Sequence, residues 1–169
     1  MKKSLKKNQT KRGQKIVMIS GGFDPIHIGH VRYIKEAKKL GDKLIVVINN
    51  DNWLRAKKGE EFMKEHERKE IIKAFEGVDE VYLTEHKADM NYNNPIEKSV
   101  CDALRKIKPH IFANGGDRKP DGDPIPEVMI CEELGIEMVY NVGQGGKVQS
   151  SSWLLSKLAK NKGGKKKKK

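Results

Sequence analysis

The sequence predicts an α/β fold in which a doubly wound, parallel five-stranded sheet forms a single domain. Short apolar runs of strand length alternate with amphipathic stretches of helical period, and no repeat of fixed length interrupts them. Three junctions between a strand and the following helix carry glycines beside unusual polar residues. In folds of this kind, ligands bind at the carboxyl ends of the strands, near the point where the strand order reverses.

The first part of the chain predicts a β-turn-α-β unit. Residues 16–19 are wholly apolar and end in a Ser-Gly-Gly segment, which is typical of a buried strand that enters a tight turn. From His30 to Leu40 the apolar residues recur at three-residue spacing between charged ones, which predicts an amphipathic helix capped by Gly41. Residues 44–48 form a second apolar strand, so we expect a right-handed parallel crossover.

The alternation continues through the rest of the chain. We expect a polar, basic loop over 49–59, a helix over about 64–75, a strand over 78–83, a helix over 95–107, a strand over 111–113, a helix over 127–134, a strand over 136–142 and a last helix over 150–158. These elements bring the number of strands to five. The sequence therefore predicts a Rossmann-like doubly wound sheet.

The net charge of +12 comes from the two ends of the chain. Of the 35 basic residues, seven lie in 1–15 and eight in 157–169, which leaves 20 basic against 23 acidic residues in 16–156. A mildly acidic body lacks the broad cationic surface that dominates DNA affinity, so no specific nucleic-acid partner is expected. We divide the chain into a basic disordered tail (1–15), a folded domain (16–156), and the end of the last helix with a lysine-rich tail (157–169).

Hydropathy and cysteine content favour a cytoplasmic protein. No run approaches the roughly 18 to 20 apolar residues needed to cross a bilayer, so we expect no membrane span. The lysine-rich start has no apolar segment behind it of the kind a secretory signal needs. Cys101 and Cys131 fit neither a disulfide framework nor a metal site, so reduced thiols in the core are expected.

The segment over 21–30, Gly-Gly-Phe-Asp-Pro-Ile-His-Ile-Gly-His, is the most specific feature of the chain. His27 and His30 stand three apart where the first helix begins, so their imidazoles can point the same way while nearby backbone N–H groups face an anion. We expect the pair to neutralise charge on a phosphorus centre. Asp24 either closes the turn before Pro25 or makes a water-mediated magnesium contact.

This segment resembles the HxGH nucleotidyltransferases, in which the tetrapeptide follows a first strand and a Gly-Phe-Asp-Pro turn. The resemblance covers about residues 16–156. Within the family, the chain resembles both the glycerol-3-phosphate cytidylyltransferases and the heptose-1-phosphate adenylyltransferases. The spelling His-Ile-Gly-His also occurs in class I aminoacyl-tRNA synthetases. The chain lacks a Lys-Met-Ser-Lys-Ser segment and a basic folded surface, so we reject that reading.

The resemblance implies roles for individual residues. The implied catalytic residues are His27, His30 and Lys58. The implied nucleotide-binding residues are Gly22, Phe23, Asp24, Asp117, Lys147, Ser150, Ser151 and Ser152. The implied substrate-binding residues are Lys57 and Arg68, while Trp53 and the loop over 91–94 are expected to shape the pocket of the acceptor.

The serine run has a physical argument of its own. A serine at the N-cap satisfies helix N–H groups, while the next hydroxyls and free amides offer donors to the β- and γ-phosphates. The cytidylyltransferases carry an Arg-Thr-Glu-Gly-Ile-Ser segment here, whereas this chain has no arginine and offers Lys147 as a point charge. The departure leaves the choice between CTP and ATP open.

The resemblance implies an activity, with one alternative from another class. The implied enzyme moves a nucleoside monophosphate from CTP or ATP to a phosphorylated small alcohol or sugar and releases pyrophosphate. Mg²⁺ is expected to be bound mainly through the nucleotide, with no metal site in the protein itself, and a homodimer is implied. The alternative is a nucleotide-binding interaction protein whose lysine tails bind RNA or an anionic membrane.

Overall fold

The structure is a computed structural model that describes residues 13–115, 125–143 and 150–163. Its elements are β1 (Ile16–Gly21), α1 (Ile28–Lys38), β2 (Lys43–Ile48), α2 (Asp51–Lys58), α3 (Glu65–Lys73), β3 (Glu80–Leu83), α4 (Cys101–Ile107), β4 (Ile111–Gly115), α5 (Pro126–Leu134), β5 (Glu137–Val142) and α6 (Ser151–Gly163). Within these ranges no helix has both the length and the apolar character that a bilayer crossing needs. Of the predicted terminal segments over 1–15 and 157–169, residues 1–12 and 164–169 lie outside the described residues.

The five strands form one parallel sheet in the order β3-β2-β1-β4-β5. The chain moves outward from β1 through β2 to β3, then returns to the other side of β1 with β4. The strand order therefore reverses between β1 and β4, whose carboxyl ends lie at the same edge of the sheet. This arrangement confirms the predicted doubly wound α/β fold and places the ligand edge beside the glycine turn that follows β1.

Helices cover both faces of the sheet, which explains why the central strands are apolar without alternation. On one face Ile34 of α1 and Ile72 of α3 pack against β1 and β2. On the other face Leu104 of α4 and Ile130 of α5 pack against the central strands. The two cysteines lie in this second layer as free, buried thiols, as predicted.

Two predicted elements are wrong. The expected loop over 49–59 is mostly helix α2, because the Asn50 side chain caps it by accepting the Trp53 N–H. The apolar face of this helix is short and lies between basic residues, so the sequence shows little helical periodicity. The expected helix over 95–107 begins only at Cys101. Before it, the Asn94 Oδ1 accepts the backbone N–H of Ile96, a local bond that competes with helix formation.

Candidate active site

The two histidines of the turn after β1 cap α1 together. His27 is the N-cap residue, and its Nδ1 accepts the N–H of Gly29 at 3.1 Å. His30 reaches back, so that its Nδ1 accepts the N–H of His27 at 3.3 Å. The two rings stack with centroids 3.8 Å apart and planes 22° apart. The predicted convergence of the imidazoles is therefore present in the structure.

This capping determines which atoms the histidines can offer a ligand. Because each Nδ1 accepts a backbone N–H, each neutral ring carries its proton on Nε2 and is a donor there. Burial lowers the pKa of His27, and burial together with the charge of His27 lowers the pKa of His30 to about 3. The pair therefore acts as two neutral N–H donors near pH 7. Neutralisation of charge on a phosphorus centre by this pair stays a prediction.

Phe23 and the two glycines before it form the start of the turn that carries the histidines. Phe23 is almost fully buried, and its ring lies 4.8 Å from the His30 ring. Its φ of 51° is one that residues other than glycine seldom adopt. A Cβ on Gly21 would lie 3.2 Å from the Phe23 ring, and one on Gly22 would lie 3.0 Å from Leu54 Cδ2. A Cβ at either position would therefore require the side chain of Phe23 or Leu54 to shift by a few tenths of an ångström.

Asp24 and Lys58 form an ion pair at the mouth of the turn. The Asp24 Oδ2 accepts the Lys58 ammonium at 2.6 Å and the Phe62 N–H at 2.9 Å. Its Oδ1 accepts the Met63 N–H at 2.6 Å, and its backbone oxygen accepts Lys58 at 2.9 Å. These contacts reach the end of α2 and the segment that follows it, so they favour neither of the two roles expected for Asp24, and both stay predictions. Direct binding of the nucleotide by Asp24 stays a prediction.

Arg68 of α3 is completely buried beneath the same edge. Its Nη1 donates to the carbonyls of Gly22 and Asn49, both at 2.7 Å, and its Nη2 donates to Asp51 Oδ1 at 2.7 Å. These bonds join the chain leaving β1 to the chain leaving β2. The guanidinium is closed off from solvent, so the structure gives Arg68 a structural position behind the site. Its predicted contact with substrate has no support in this geometry.

The serine run at the start of α6 lies beside the histidine turn. Ser150 is the N-cap, since its Oγ accepts the Trp153 N–H at 3.2 Å. Ser151 Oγ donates to the carbonyl of Pro25 at 2.9 Å, across 126 positions of sequence. Ser152 is exposed in the first turn of the helix. The N-terminus of α6 therefore contacts the turn that carries the paired imidazoles.

Comparison with known proteins identifies the chain. The profile of a family described as cytidylyltransferase-like matches residues 18–133. The chain belongs to the cytidylyltransferase-like family. The resemblance predicted from the sequence is thereby confirmed.

Relatives and solved structures agree with this assignment. The chain is 34% identical over 152 residues to the bifunctional protein HldE of Pelobacter propionicus, covering 89% of this chain and 26% of that protein. It is 35% identical over 127 residues to the FAD synthase of Methanothermobacter thermautotrophicus, covering 73% and 77% of the two chains. A lipopolysaccharide core biosynthesis protein from Thermoplasma volcanium matches with TM-score 0.60 and 29% identity, covering 79% of this chain and 100% of that one. The chain spans about a quarter of the length of the HldE proteins it matches.

Two predicted nucleotide-binding residues of this cytidylyltransferase-like domain, Asp117 and Lys147, lie outside the described residues. The structure describes the strand end that leads to the first of them. A Cβ on Gly115 would lie 3.0 Å from the Tyr33 ring, whose hydroxyl donates to the Ala113 carbonyl at 2.6 Å. The end of β4 therefore packs directly on α1, next to the histidine turn.

Lys57, Trp53 and Tyr92 of the loop over 91–94, which were expected to serve the acceptor, lie together. The Lys57 ammonium is 4.7 Å from the centre of the Trp53 ring, and the edge of Tyr92 meets the same indole at 5.4 Å. The Trp53 Nε1 donates to the carbonyl of Lys98 at 2.9 Å. A Cβ on Gly22 would be 3.6 Å from the indole, so this wall adjoins the glycine turn. A role in acceptor binding stays a prediction.

Sequence reasoning gave no individual role to the asparagines after β2. Asn50 donates its N–H to Thr84 Oγ1 at 3.0 Å and its side-chain N–H to the carbonyl of His86 at 2.8 Å, which joins α2 to the chain after β3. Asn49 is buried, and its Oδ1 has no hydrogen-bond partner among the described residues. The signal was the Asn-Asn-Asp run at the end of a buried strand, which is typical of a helix cap.

Proposed function

We propose that this chain transfers a nucleoside monophosphate from CTP or ATP to a phosphorylated small alcohol or sugar and releases pyrophosphate. The observation that carries the proposal is the pair of stacked imidazoles, whose Nε2 atoms have no hydrogen-bond partner among the described residues, on the turn that the N-terminus of α6 contacts. Membership of the cytidylyltransferase-like family supports it. The likeness to HldE and FAD synthase supports it further.

The reaction needs positioned donors more than it needs a base. A phosphate oxygen of the acceptor attacks the α-phosphorus in line, that P–O bond forms, and the bond to the leaving pyrophosphate breaks. The attacking oxygen is already an anion at neutral pH, so no general base is required. Catalysis then comes from positioning and from donors aimed at developing negative charge.

Each group of residues takes one part of the substrates in this proposal. His27 and His30 donate their Nε2–H groups to the α-phosphate. Ser152 and the backbone N–H groups in the first turn of α6 serve the β- and γ-phosphates at the positive end of the helix dipole, and Ser151 joins them when its hydroxyl leaves the Pro25 carbonyl. The remaining assignments are Lys147 for the same phosphates, Asp117 for the nucleoside, Lys58 between triphosphate and acceptor, and Lys57 for the acceptor.

Mg²⁺ enters the proposal as part of the nucleotide substrate. The described residues contain no group of three His, Cys, Asp or Glu side chains able to hold an ion. Asp24 already accepts three hydrogen bonds on its carboxylate, which fits an ion held elsewhere. Triphosphate oxygens and water are ordinary ligands of Mg²⁺, so the ion needs no protein cage.

We also propose an oligomeric state and a cellular location for the chain. A homodimer and a cytoplasmic location are implied by the resemblance and the composition. The alternative of a tail-driven RNA-binding or membrane-binding protein rests on the basic ends, most of which lie outside the described residues. Nothing among the described residues favours it over the enzyme.

A pyrophosphate-release assay tests the proposed function. The full chain is incubated with Mg²⁺ and each of the four common ribonucleoside triphosphates, crossed with a panel of phosphorylated sugars, phosphorylated alcohols and flavin mononucleotide. We expect release that depends on the acceptor, with ATP or CTP as donor. Reactions without acceptor set the background. Release no higher than this background for every pair would overturn the proposal.

A further inference from the structure

The carboxylate of Asp24 is buried and bonded to the ammonium of Lys58 and to backbone N–H groups. This environment favours contact with a protein cation over contact with the substrate. Its side chain has no exposed surface, and all three groups bonded to it are donors. Two of them are consecutive backbone N–H groups, from Phe62 and Met63, in the segment between α2 and α3. Asp24 therefore fixes this segment against the turn after β1.

The third donor is the ammonium of Lys58, the last residue of α2. Gly59 follows it with a φ of 90°, and this turn ends the helix at the lysine. An ammonium has three N–H donors, and the described residues take two of them, through the carboxylate and the backbone oxygen of Asp24. One N–H of Lys58 is left for a ligand, and the side chain keeps 24% of its surface exposed.

The position of this ammonium connects it with the site. Asp24 precedes Pro25, whose carbonyl receives the Ser151 hydroxyl, and lies three residues before His27. The same short turn therefore contacts the lysine on one side and the start of α6 on the other. The ammonium is therefore held on the same turn that carries the imidazoles and contacts the start of α6.

We propose that Asp24 is a positioning residue that acts through Lys58. It holds the ammonium by two N–H groups, so that the remaining N–H meets an oxygen of the bound triphosphate. This inference rests on the proposed function and adds to it a residue that works without touching substrate. It also explains why the position is an aspartate. Asparagine has one acceptor oxygen, and its NH₂ group would face donors only.

A matched pair elsewhere in the fold provides a control. Lys38, the last residue of α1, donates to Asp79 Oδ2 at 2.6 Å and to the carbonyl of Asp42 at 2.7 Å. Asp79 also accepts a backbone N–H, from Leu44, at 2.7 Å. The contacts resemble those of Asp24 and Lys58, with one backbone N–H on the carboxylate in place of two, but this pair lies at the opposite edge of the sheet, where the strands begin. Equivalent substitutions there report the cost of losing an Asp–Lys pair away from the site.

A double-mutant cycle on turnover tests the proposal. The variants are Asp24→Asn, Lys58→Met and the double variant, beside Asp79→Asn and Lys38→Met, each assayed for kcat and KM of the triphosphate. We expect both site variants to lower kcat/KM about tenfold or more, and the double variant to be no worse than Lys58→Met within about twofold. The control variants should stay within about twofold of the wild type. Effects that multiply in the double variant would show that Asp24 acts independently of Lys58, which overturns the proposal.

A binding measurement separates this inference from the proposed function and covers a variant that folds poorly. Calorimetric titration with inorganic triphosphate needs no turnover. Lys58→Met leaves the two amide donors on Asp24, so it is expected to fold even if Asp24→Asn does not. We expect its Kd for triphosphate to rise about fivefold or more, against less than about twofold for Lys38→Met. An unchanged Kd in Lys58→Met overturns the inference, whereas an absence of pyrophosphate release with every substrate pair overturns the function alone.

Discussion

The two edges of the sheet use the same polar contacts for different purposes. At the amino edge, Lys38 at the end of α1 pairs with Asp79, which keeps 39% of its side-chain surface exposed. At the carboxyl edge, Lys58 at the end of α2 pairs with Asp24, whose side chain has no exposed surface. An exposed pair contributes little to stability or function, whereas a buried one holds its partners in one geometry.

The histidines show the same contrast. At the amino edge the Nδ1 of His110 accepts the N–H of Ile16 at 3.0 Å, and no second imidazole stacks on this ring among the described residues. At the carboxyl edge His27 and His30 make contacts of the same kind but also stack on each other, which brings two Nε2–H donors to one place. A capping contact alone is therefore no sign of function. The convergence of several buried polar groups at the ligand edge is what separates the two regions.

The largest effect is expected from the buried arginine behind the carboxyl edge. Arg68→Met leaves Asp51 and three backbone carbonyls, among them that of Met63, without their donor, so the free energy of unfolding should fall by about 3 to 5 kcal/mol. Urea denaturation measures it. Arg105 provides the control, since its 3.7 Å pair with Asp102 is exposed and its replacement by Met should cost about 0.5 kcal/mol or less. Equal losses at the two positions would contradict a special role for the buried one.

The next effect concerns turnover. His27→Asn and His30→Gln keep side chains suited to the N-cap and to its partner three residues later, so the fold should be retained. Each replaces the rigid ring Nε2–H with an amide N–H at a different position while the amide oxygen caps the helix, so the bond to the α-phosphate is lost and kcat should fall by about two to three decades, or about 3 to 4 kcal/mol in the barrier. His110→Asn at the amino edge serves as the control and should keep its rate. A site variant that retains more than about a tenth of wild-type turnover would remove that histidine from the mechanism.

The pH dependence of stability sharpens the contrast further. His30 has its pKa lowered from 6.5 to about 3 in the native state, chiefly by burial, and the pKa of His27 is lowered as well. Between these values the unfolded chain binds a proton that the native chain does not, so stability falls as pH falls from 6.5 towards 3. Urea midpoints across this range should depend less steeply on pH in His30→Gln. An unchanged dependence would show that His30 is not buried neutral.

The smallest effect is expected at the start of α6. Ser150→Ala removes the oxygen that accepts the Trp153 N–H and should cost about 1 kcal/mol of stability. Ser156 donates to the carbonyl of Trp153 within the same helix, so Ser156→Ala should change stability by no more than a few tenths of a kcal/mol. Thermal unfolding compares the two. A loss at Ser150 no larger than at Ser156 would mean that the cap is absent in solution.

Much of the fold could be predicted because its signals are local. The apolar runs of β1 and β2 mark buried parallel strands, and the period of α1 marks the helix between them. Where local signals conflict, the prediction was wrong. The polar, basic residues after β2 predict a loop. In the structure this segment is a helix, because Asn50 caps it and Trp53 buries its ring against the glycine turn. A contact so distant in sequence leaves no periodic pattern to detect.

The sequence by itself determined the alternation of strands and helices, the glycine turn with its two histidines, and the confinement of excess charge to the two ends, because composition and periodicity express these directly. Only the tertiary structure decided which polar groups meet. It placed Ser151 on Pro25, buried Arg68 behind the strand ends, and paired Lys58 with Asp24. It also made the histidines neutral donors, since the charge of an imidazole depends on its burial and its partners.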